Sequence, residues 1–273
     1  MAKKVAAKSS PRKKAKSATA SKPKSKTLIH KSPKKQSNSK ASSRSKSSQA
    51  KSSKKSSAGL SNKDKAAWAS LEYTNGFGNH TESEAEKGAL PIGRNNPQKC
   101  PMGLYAEQLS GTPFTFAKHK NQRSWLYRIQ PTVKHNDWKD KSSKYPKWVS
   151  NFNGDKGLSI TPEQMRWLPM KFNGGAMFHQ SIKTMMGAGS PDLKTGLAIH
   201  HFSMGKGMAS NKVAMYSSDG DMLIVPQAGV MLVTTEFGKL RIEPKEIVVV
   251  PRGVKFSIDV EDGPSRGWIA ECF

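Results

Sequence analysis

The chain has 273 residues, enough for one or two domains, and its formal net charge of +26 is distributed very unevenly. Residues 1–65 contain 21 Lys or Arg and one acid, Asp64, and so carry +20, whereas the remainder carries only +6. The overall charge is therefore mostly a property of the first quarter, and it does not identify the remainder as a nucleic-acid-binding domain.

Residues 1–66 consist mostly of Lys, Ser, Ala and Pro and contain hardly any apolar side chains. Such a segment cannot bury enough surface to offset its ordering entropy, so we predict a disordered basic tail. Two units, Ser10–Lys13 and Ser32–Lys35, resemble the S-P-[RK]-K units of linker-histone tails. They favour nonspecific binding to nucleic-acid phosphates or nuclear import, and the alternative is a solvated extension that only affects solubility.

Cys100 and Cys272 are too few for a disulfide framework and form no C-x-x-C pair, which favours a reducing compartment. No apolar run approaches the roughly 20 residues needed to span a bilayer. The first residues also lack the apolar segment of a secretory signal. These features predict a cytoplasmic protein without a membrane partner, and the basic tail leaves the nucleus as the alternative location.

The rest of the chain, residues 67–273, is predicted to form an arm at 67–120 followed by a β domain at 121–273. The first tryptophan, Trp68, appears at this boundary, where acids begin to balance bases. From Leu71 to about Thr115 there is little periodicity and much Gly, Pro and Asn. Loops this long inside a compact domain are usually functional or wrap a neighbour.

From Ser124 onward, short β-branched and aromatic segments recur at a spacing of about 8–12 residues, separated by turn residues. This spacing predicts a mainly β domain, built as an antiparallel sandwich or barrel. A short helix is predicted to start at Thr161, with Pro162 as its first residue. The predicted strands are Ser124–Ile129, Leu197–Phe202, Met222–Pro226, Val230–Phe237, Lys239–Pro244, Glu246–Pro251, Val254–Val260 and Arg266–Phe273.

The turn Pro251–Phe256 has the form of the P-x-G turn of cupin metalloenzymes, in which a metal-binding histidine follows three residues after the glycine. Phe256 occupies that ligand position here, and no histidine lies after His201. We therefore predict that the chain contributes no metal ligand, no cofactor-binding residue and no catalytic residue. Phe256 is expected to fill the barrel interior as an apolar side chain.

His200 and His201 are adjacent on a predicted strand, where successive side chains point to opposite faces. A non-haem iron site needs two His and one carboxylate that converge on one face. Neither a paired second His nor a Glu follows closely after His201. We therefore predict structural roles for both histidines, one packed and one exposed.

Several uncommon runs, in the same order along the chain, resemble the homogentisate 1,2-dioxygenase family. The resemblance is dense from about Tyr73 to Phe273, but it concerns only the N-terminal domain of that family. The runs are Asn75–Asn79, Gly88–Pro91, Asn96–Pro101, Gly103–Thr115, Arg123–His135, Leu197–His200, Ser217–Gly229, Thr235–Val260 and Gly263–Phe273.

The resemblance implies a cupin-like fold with two β regions in the complete enzyme and a hexamer built from trimers. It also implies an extradiol-type, Fe(II)-dependent oxidoreductase. Such an enzyme opens the ring of homogentisate with O2 to give maleylacetoacetate, in tyrosine and phenylalanine catabolism. In that family two His and one Glu hold the iron and a further His acts as acid and base, all in the C-terminal region. No position of the present chain matches those motifs.

The chain is accordingly expected to be the metal-free N-terminal portion of such an enzyme, truncated before the catalytic region and inactive alone. Its partners would be homogentisate and O2 only in the complete enzyme, together with further copies of the chain. One alternative is a nucleic-acid-associated protein that acts through residues 1–66. Another is a non-catalytic cupin that binds a small ligand in its barrel.

Overall fold

The computed structural model describes residues 60–72, 84, 86–91, 100–152, 163–164 and 166–273. The predicted disorder before residue 60 and the helix predicted to start at Thr161 lie outside the described residues. The helices are α1 Asn62–Ala69 and α2 Phe178–Ser181, with short 3-10 turns at Pro101–Gly103, Lys118–Lys120, Ser142–Lys144 and Ala209–Asn211. The strands are β1 Tyr105–Ser110, β2 Arg123–Arg128, β3 Lys183–Ser190, β4 Thr195–Met204, β5 Asp221–Ala228, β6 Met231–Thr235, β7 Gly238–Ile242, β8 Val248–Val250, β9 Phe256–Val260 and β10 Ser265–Cys272.

Helix α1 crosses the boundary that the sequence placed after residue 66. Ser61 is its N-cap, and the Ser61 hydroxyl accepts a hydrogen bond from the backbone N–H of Asp64 at 3.2 Å. A side-chain oxygen at this position satisfies a donor that the first helical turn would otherwise leave unpaired. Trp68 is the buried residue of the helix. The prediction that the disordered tail extends to residue 66 is therefore corrected, because the capped turn makes residues 62–66 helical.

Strands β1 and β2 form an antiparallel hairpin within the predicted arm and the start of the β domain. The Asn121 side chain closes its loop by accepting hydrogen bonds from the N–H and the hydroxyl of Thr112. β2 was predicted, but β1 was not, because Tyr105–Ser110 has few β-branched residues. β1 forms because the aromatic strand β2 offers it a full register of backbone partners.

Two larger antiparallel sheets form the β domain, one of five strands in the order β3-β4-β10-β5-β8 and one of three in the order β7-β6-β9. Seven of the eight predicted strands lie in these two sheets, as β4 to β10. The mainly β, antiparallel architecture predicted from the turn spacing is thus confirmed. Within the described ranges, every helix falls short of the length and apolarity that crossing a bilayer requires.

β3 is the second strand that the sequence prediction missed, because its glycines weaken any strand signal. Gly189 of β3 lies opposite Gly196 of β4, and both have positive φ, at 87° and 120°. A Cβ on Gly189 would lie 2.2 Å from the carbonyl oxygen of Thr195. The paired glycines therefore permit a close backbone approach at the β3–β4 turn that no larger residue allows.

The core lies between the two sheets and is lined by apolar side chains from both. Phe178 of α2 is at its centre, with ring centroids 5.1 Å from Phe202 of β4 and 6.1 Å from Phe256 of β9. All three side chains are buried. Together they fill the interior of the β domain with aromatic rings in tilted and edge-on arrangements, which aromatic pairs prefer to a face-to-face stack.

Candidate functional site

The turn that precedes β9 presents an apolar group to the interior. Gly253 adopts a φ of 83°, and its N–H donates to the carbonyl oxygen of Ser217 at 2.8 Å. Phe256 follows and pairs with Met215 through two backbone hydrogen bonds of 2.8 and 2.9 Å. Its ring is 2% exposed and packs against Phe178. Phe256 is therefore a core residue, and its correspondence to the cupin ligand position stays a prediction.

The cluster with the most chemical character is a buried pair formed by His200 of β4 and Glu271 of β10. The register of these antiparallel strands places both side chains on the core side. His200 Nε2 lies 3.1 Å from Glu271 Oε2, and the side chains are 0% and 1% exposed. Since the two residues are 71 positions apart, the pairing is visible only in the tertiary structure.

Hydroxyl groups complete the hydrogen bonding of this pair. Ser217 Oγ donates to Glu271 Oε1 at 2.6 Å, and Thr184 Oγ1 lies 2.9 Å from His200 Nδ1. Thr184 Oγ1 also accepts from the N–H of Val149 at 2.7 Å. Both ring nitrogens of His200 and both oxygens of Glu271 thus have partners, as buried polar groups require.

The negative charge of Glu271 affects the pKa of a neighbouring acid. Burial raises the pKa of Asp219, and the nearby Glu271 carboxylate raises it further. The ring of Trp148 meets His200 edge-on, with centroids 6.3 Å apart. The arrangement is closed and fully paired, so it fastens β3, β4, β10 and the loop before β5 together and leaves no side-chain position open for a ligand.

His201 points to the opposite face of β4, as the strand alternation predicted, but it is buried as well. Its ring packs edge-on against Trp268 at 5.3 Å. Burial lowers the pKa of His201, and the positive charges of Arg266 and Lys183 lower it further. The prediction that one of the two histidines is exposed is wrong, since both are at most 5% exposed.

The segment before α2 packs against the same face of the sheet as His201, at Ser203 and Arg266. The N–H of Asn173 donates to Ser203 Oγ at 2.7 Å, and Arg266 donates to the carbonyl oxygen of Met170 at 3.0 Å. The Arg266 guanidinium also lies 4.4 Å from the ring centroid of Phe172. Alternation in a sequence indicates which face a side chain takes but not whether that face is covered.

A second polar cluster joins the β1–β2 hairpin to the β domain. The Arg128 guanidinium donates to both carboxylate oxygens of Glu236, at 2.8 and 2.6 Å, and it also binds Glu107. It donates further to the carbonyl oxygen of Gly253 at 2.9 Å, on the turn before Phe256. The sequence analysis missed this site. The feature that could have indicated it is an arginine at the end of an aromatic strand, Arg128.

In this cluster the positive charge of Arg128 lies between the negative charges of Glu107 and Glu236. Burial acts to raise the pKa of Glu107, but hydrogen bonds from Thr132 and the charge of Arg128 outweigh it, so the pKa is lowered. The hydrogen bonds that Arg128 donates to Glu236 and Glu107 raise its pKa, against the effect of its burial. The ion pairs therefore stay formed at neutral pH, and they tie the hairpin to the turn that carries Phe256.

Comparison with known proteins bears on the whole of this region. The family model described as "Homogentisate 1,2-dioxygenase N-terminal" matches residues 72–273. The chain belongs to the homogentisate 1,2-dioxygenase family. The family resemblance identified in the sequence is thereby confirmed.

Curated relatives named homogentisate 1,2-dioxygenase agree with this assignment. The protein of Caenorhabditis elegans is 47% identical over 207 residues, which cover 74% of this chain and 46% of that protein. The protein of Dictyostelium discoideum is 48% identical and covers 74% and 45%. Among solved structures, a cupin superfamily protein from Desulfitobacterium hafniense is 19% identical, has a TM-score of 0.30 and covers 41% and 94%. The chain thus spans less than half the length of these homogentisate dioxygenase relatives.

Membership of a dioxygenase family raises the question of whether the described residues fit an iron ion. A facial triad needs two His and one carboxylate on one face with open coordination positions. Among the described residues, no group of three or more His, Cys, Asp or Glu could hold a metal. His200 and Glu271 come nearest to such a ligand set, but each ring nitrogen of His200 and each carboxylate oxygen of Glu271 is engaged in a hydrogen bond. The described residues therefore do not fit iron.

Proposed function

We propose that this chain is the metal-free N-terminal portion of a homogentisate 1,2-dioxygenase and is inactive alone. The complete enzyme would open the ring of homogentisate with O2 to give maleylacetoacetate, as an extradiol-type Fe(II) dioxygenase in tyrosine and phenylalanine catabolism. The present region would support the catalytic portion as a scaffold. The observation that carries this proposal is the aromatic packing around Phe256, which fills the interior of the β domain with apolar rings.

The packing argument is reinforced by the two polar clusters. His200 and Glu271 satisfy each other and the hydroxyls around them, and Arg128 satisfies two carboxylates at the domain surface. Their groups are therefore committed to holding strands and hairpin in place. This is the chemistry of a rigid scaffold, in which polar groups specify how elements join, and not of a site with open positions for a substrate.

The experiment is oxygen uptake with homogentisate and added Fe(II), measured on two proteins. The first is the 273-residue chain, from which we expect no turnover above that of free Fe(II). The second is a chimera in which residues 72–273 replace the matched region of the Caenorhabditis elegans relative, and here we expect ring cleavage. Turnover by the chain alone, or an inactive but folded chimera, would contradict the proposal.

The family also suggests self-association, and we propose a trimer-based hexamer for the complete assembly. Sedimentation velocity on the active chimera would test this, with a hexamer expected. A monomeric active chimera would contradict it. We further propose a cytoplasmic location, since the chain has two cysteines outside any C-x-x-C pair, as is usual in a reducing compartment.

A nucleic-acid-associated role is the second candidate, and one observation favours it. Residues 1–65 carry a net charge of +20, which would attract phosphates and release counterions on binding. A nuclear location would then replace the cytoplasmic one. A gel-shift salt series on the full chain and on a chain lacking residues 1–66 decides between the two. Loss of binding on deletion supports a role of the tail, and the absence of binding by the full chain excludes it.

A further inference from the structure

One row of residues across the outer face of the five-stranded sheet is apolar over all five strands. Paired residues form one continuous row over the five strands, because Met186 lies opposite Ile199, Ile199 opposite Ala270, Ala270 opposite Leu223, and Leu223 opposite Val249. We call this row, with Leu197 beside it, the apolar face; it comprises Met186, Leu197, Ile199, Leu223, Val249 and Ala270.

The apolar face is directed away from the core. In β10 every second residue, from Ser265 to Glu271, is buried, and the residues between them, including Ala270 and Cys272, are partly exposed. Met186 and Leu197 are 47% and 41% exposed. An antiparallel sheet with one solvated side normally carries polar residues there, so an uncharged row over five strands is unusual for a free surface.

The strands themselves have the sequence of elements that are covered on both sides. Met222–Val225 and Val248–Val250 are uninterrupted apolar runs, where a half-solvated strand would alternate. One end of the outer face is already covered, since residues 170–173 contact Ser203 and Arg266 there. The apolar face continues from that covered end.

We propose that the apolar face is the docking surface for the polypeptide that makes up the other half of homogentisate dioxygenase. This inference rests on the proposed function and adds a location to it. More than half of the Caenorhabditis elegans relative has no counterpart in the aligned region. An open sheet is stabilised by a second layer on its apolar side, and that missing half is long enough to supply one.

The position of β10 supports this occupant. β10 is the central strand of the sheet and reaches Cys272, on the outer side, at the end of the region matched by the N-terminal family model. In the longer relatives, polypeptide that continues from this strand therefore leaves beside the apolar face. None of the six residues of the apolar face is charged, and Asp221, opposite Cys272 at its margin, is buried, so the matching layer is apolar as well, as in the core of a permanent interface.

The test uses Cys272, whose side chain lies on the outer side of β10 next to the apolar face. Its alkylation rate is measured by peptide-resolved mass spectrometry in the 273-residue chain and in the Caenorhabditis elegans chimera. We expect the rate to fall by at least about tenfold in the chimera, because the docked layer must open before the reagent enters. The same labelling, on the 273-residue chain mixed with the remaining portion of the relative, covers the case of a chimera that does not fold.

Charged substitutions provide the matched control. Leu197→Lys and Met186→Lys place a charge on the apolar face, and Phe237→Lys places one on a similarly exposed residue at the β6–β7 turn of the other sheet. We expect the first two to restore Cys272 labelling in the chimera to within about twofold of the free chain, and Phe237→Lys to leave the protection intact.

The outcomes separate this inference from the proposed function. An active chimera with unprotected Cys272 overturns the docking surface and leaves the proposed function standing. An inactive chimera with protected Cys272 overturns the proposed function and leaves the docking surface standing. Protection of Cys272 already in the 273-residue chain also overturns the inference, and sedimentation then shows whether a second copy covers the face.

Discussion

The β domain and the β1–β2 hairpin are held in place by different forces. Between the two sheets, phenylalanine, methionine and branched side chains from both sides are fully buried. The hairpin contributes Leu109 to this packing but is also attached through the guanidinium of Arg128, and the chain that follows it exposes Ile129, Val133 and Trp138. The β domain therefore depends mainly on apolar burial, which is insensitive to pH, whereas the attachment of the hairpin depends in addition on ion pairs that acid can remove.

The largest expected effect comes from removing a ring at the centre of the β domain. Phe256→Ala deletes the ring that meets Phe178 and leaves a cavity, so the free energy of unfolding should fall by about 4 kcal/mol. Urea denaturation measures this, with Phe237→Ala as the half-exposed control that should change it little. A loss below about 1 kcal/mol for Phe256→Ala would contradict the core position of the ring.

The next effect tests the buried pair within the β domain. His200→Ala removes the partner of Glu271 and leaves its carboxylate buried without that hydrogen bond, which should cost about 3 kcal/mol. In the double variant His200→Ala, Glu271→Ala, no unpaired charge remains, so part of this loss should be recovered. If the two single losses simply add in the double variant, the residues are not coupled.

A smaller and more local effect is expected at the hairpin. Arg128→Met leaves Glu107 and Glu236 without their shared cation and should cost about 2 kcal/mol, because both carboxylates are partly solvated. Hydrogen exchange should show loss of protection in β1 and β2 but not in β10. Arg123→Met is the control, since Arg123 is exposed and donates to Gln108 within the same hairpin. Equal losses in β10 would show that the hairpin is not a separate unit.

The smallest effect is a pH dependence at the same attachment. The pKa of Glu107 is lowered from its ordinary value of 4.5, so the folded state favours the carboxylate. Its contribution to stability is fully present above 4.5 and is lost as the pH falls through the lower folded pKa. The free energy of unfolding, measured by urea denaturation between about pH 6 and pH 3, should therefore fall less steeply with decreasing pH for Glu107→Gln than for the unmodified chain. Identical slopes would rule out a stabilising ionisation of Glu107.

Sequence reasoning was strongest where strands are short, apolar and separated by turn residues. β4 to β10 were all predicted, because each combines β-branched or aromatic residues with Gly or Pro at its ends. It failed at β1 and β3, whose residues have weak strand preference. β1 is stabilised by pairing with β2, and the close packing of β3 on β4 requires glycine at Gly189.

The histidines show the same limit at the level of a site. Alternation on β4 determined that His200 and His201 take opposite faces. It could not determine that Glu271 meets His200, or that Asn173 contacts Ser203 on the face that His201 takes. Both contacts join residues far apart in the chain, and no local pattern encodes them.

The sequence by itself determined eight of the ten described strands, the family resemblance, and an apolar side chain at Phe256, because these depend on residue type and short spacing. Only the tertiary structure decided how the polar groups are satisfied and which faces are covered. Arg128 donates hydrogen bonds to Glu236 and Gly253, which lie 108 and 125 positions away in the chain. Such pairings arise because a buried charge must find partners wherever the fold brings them.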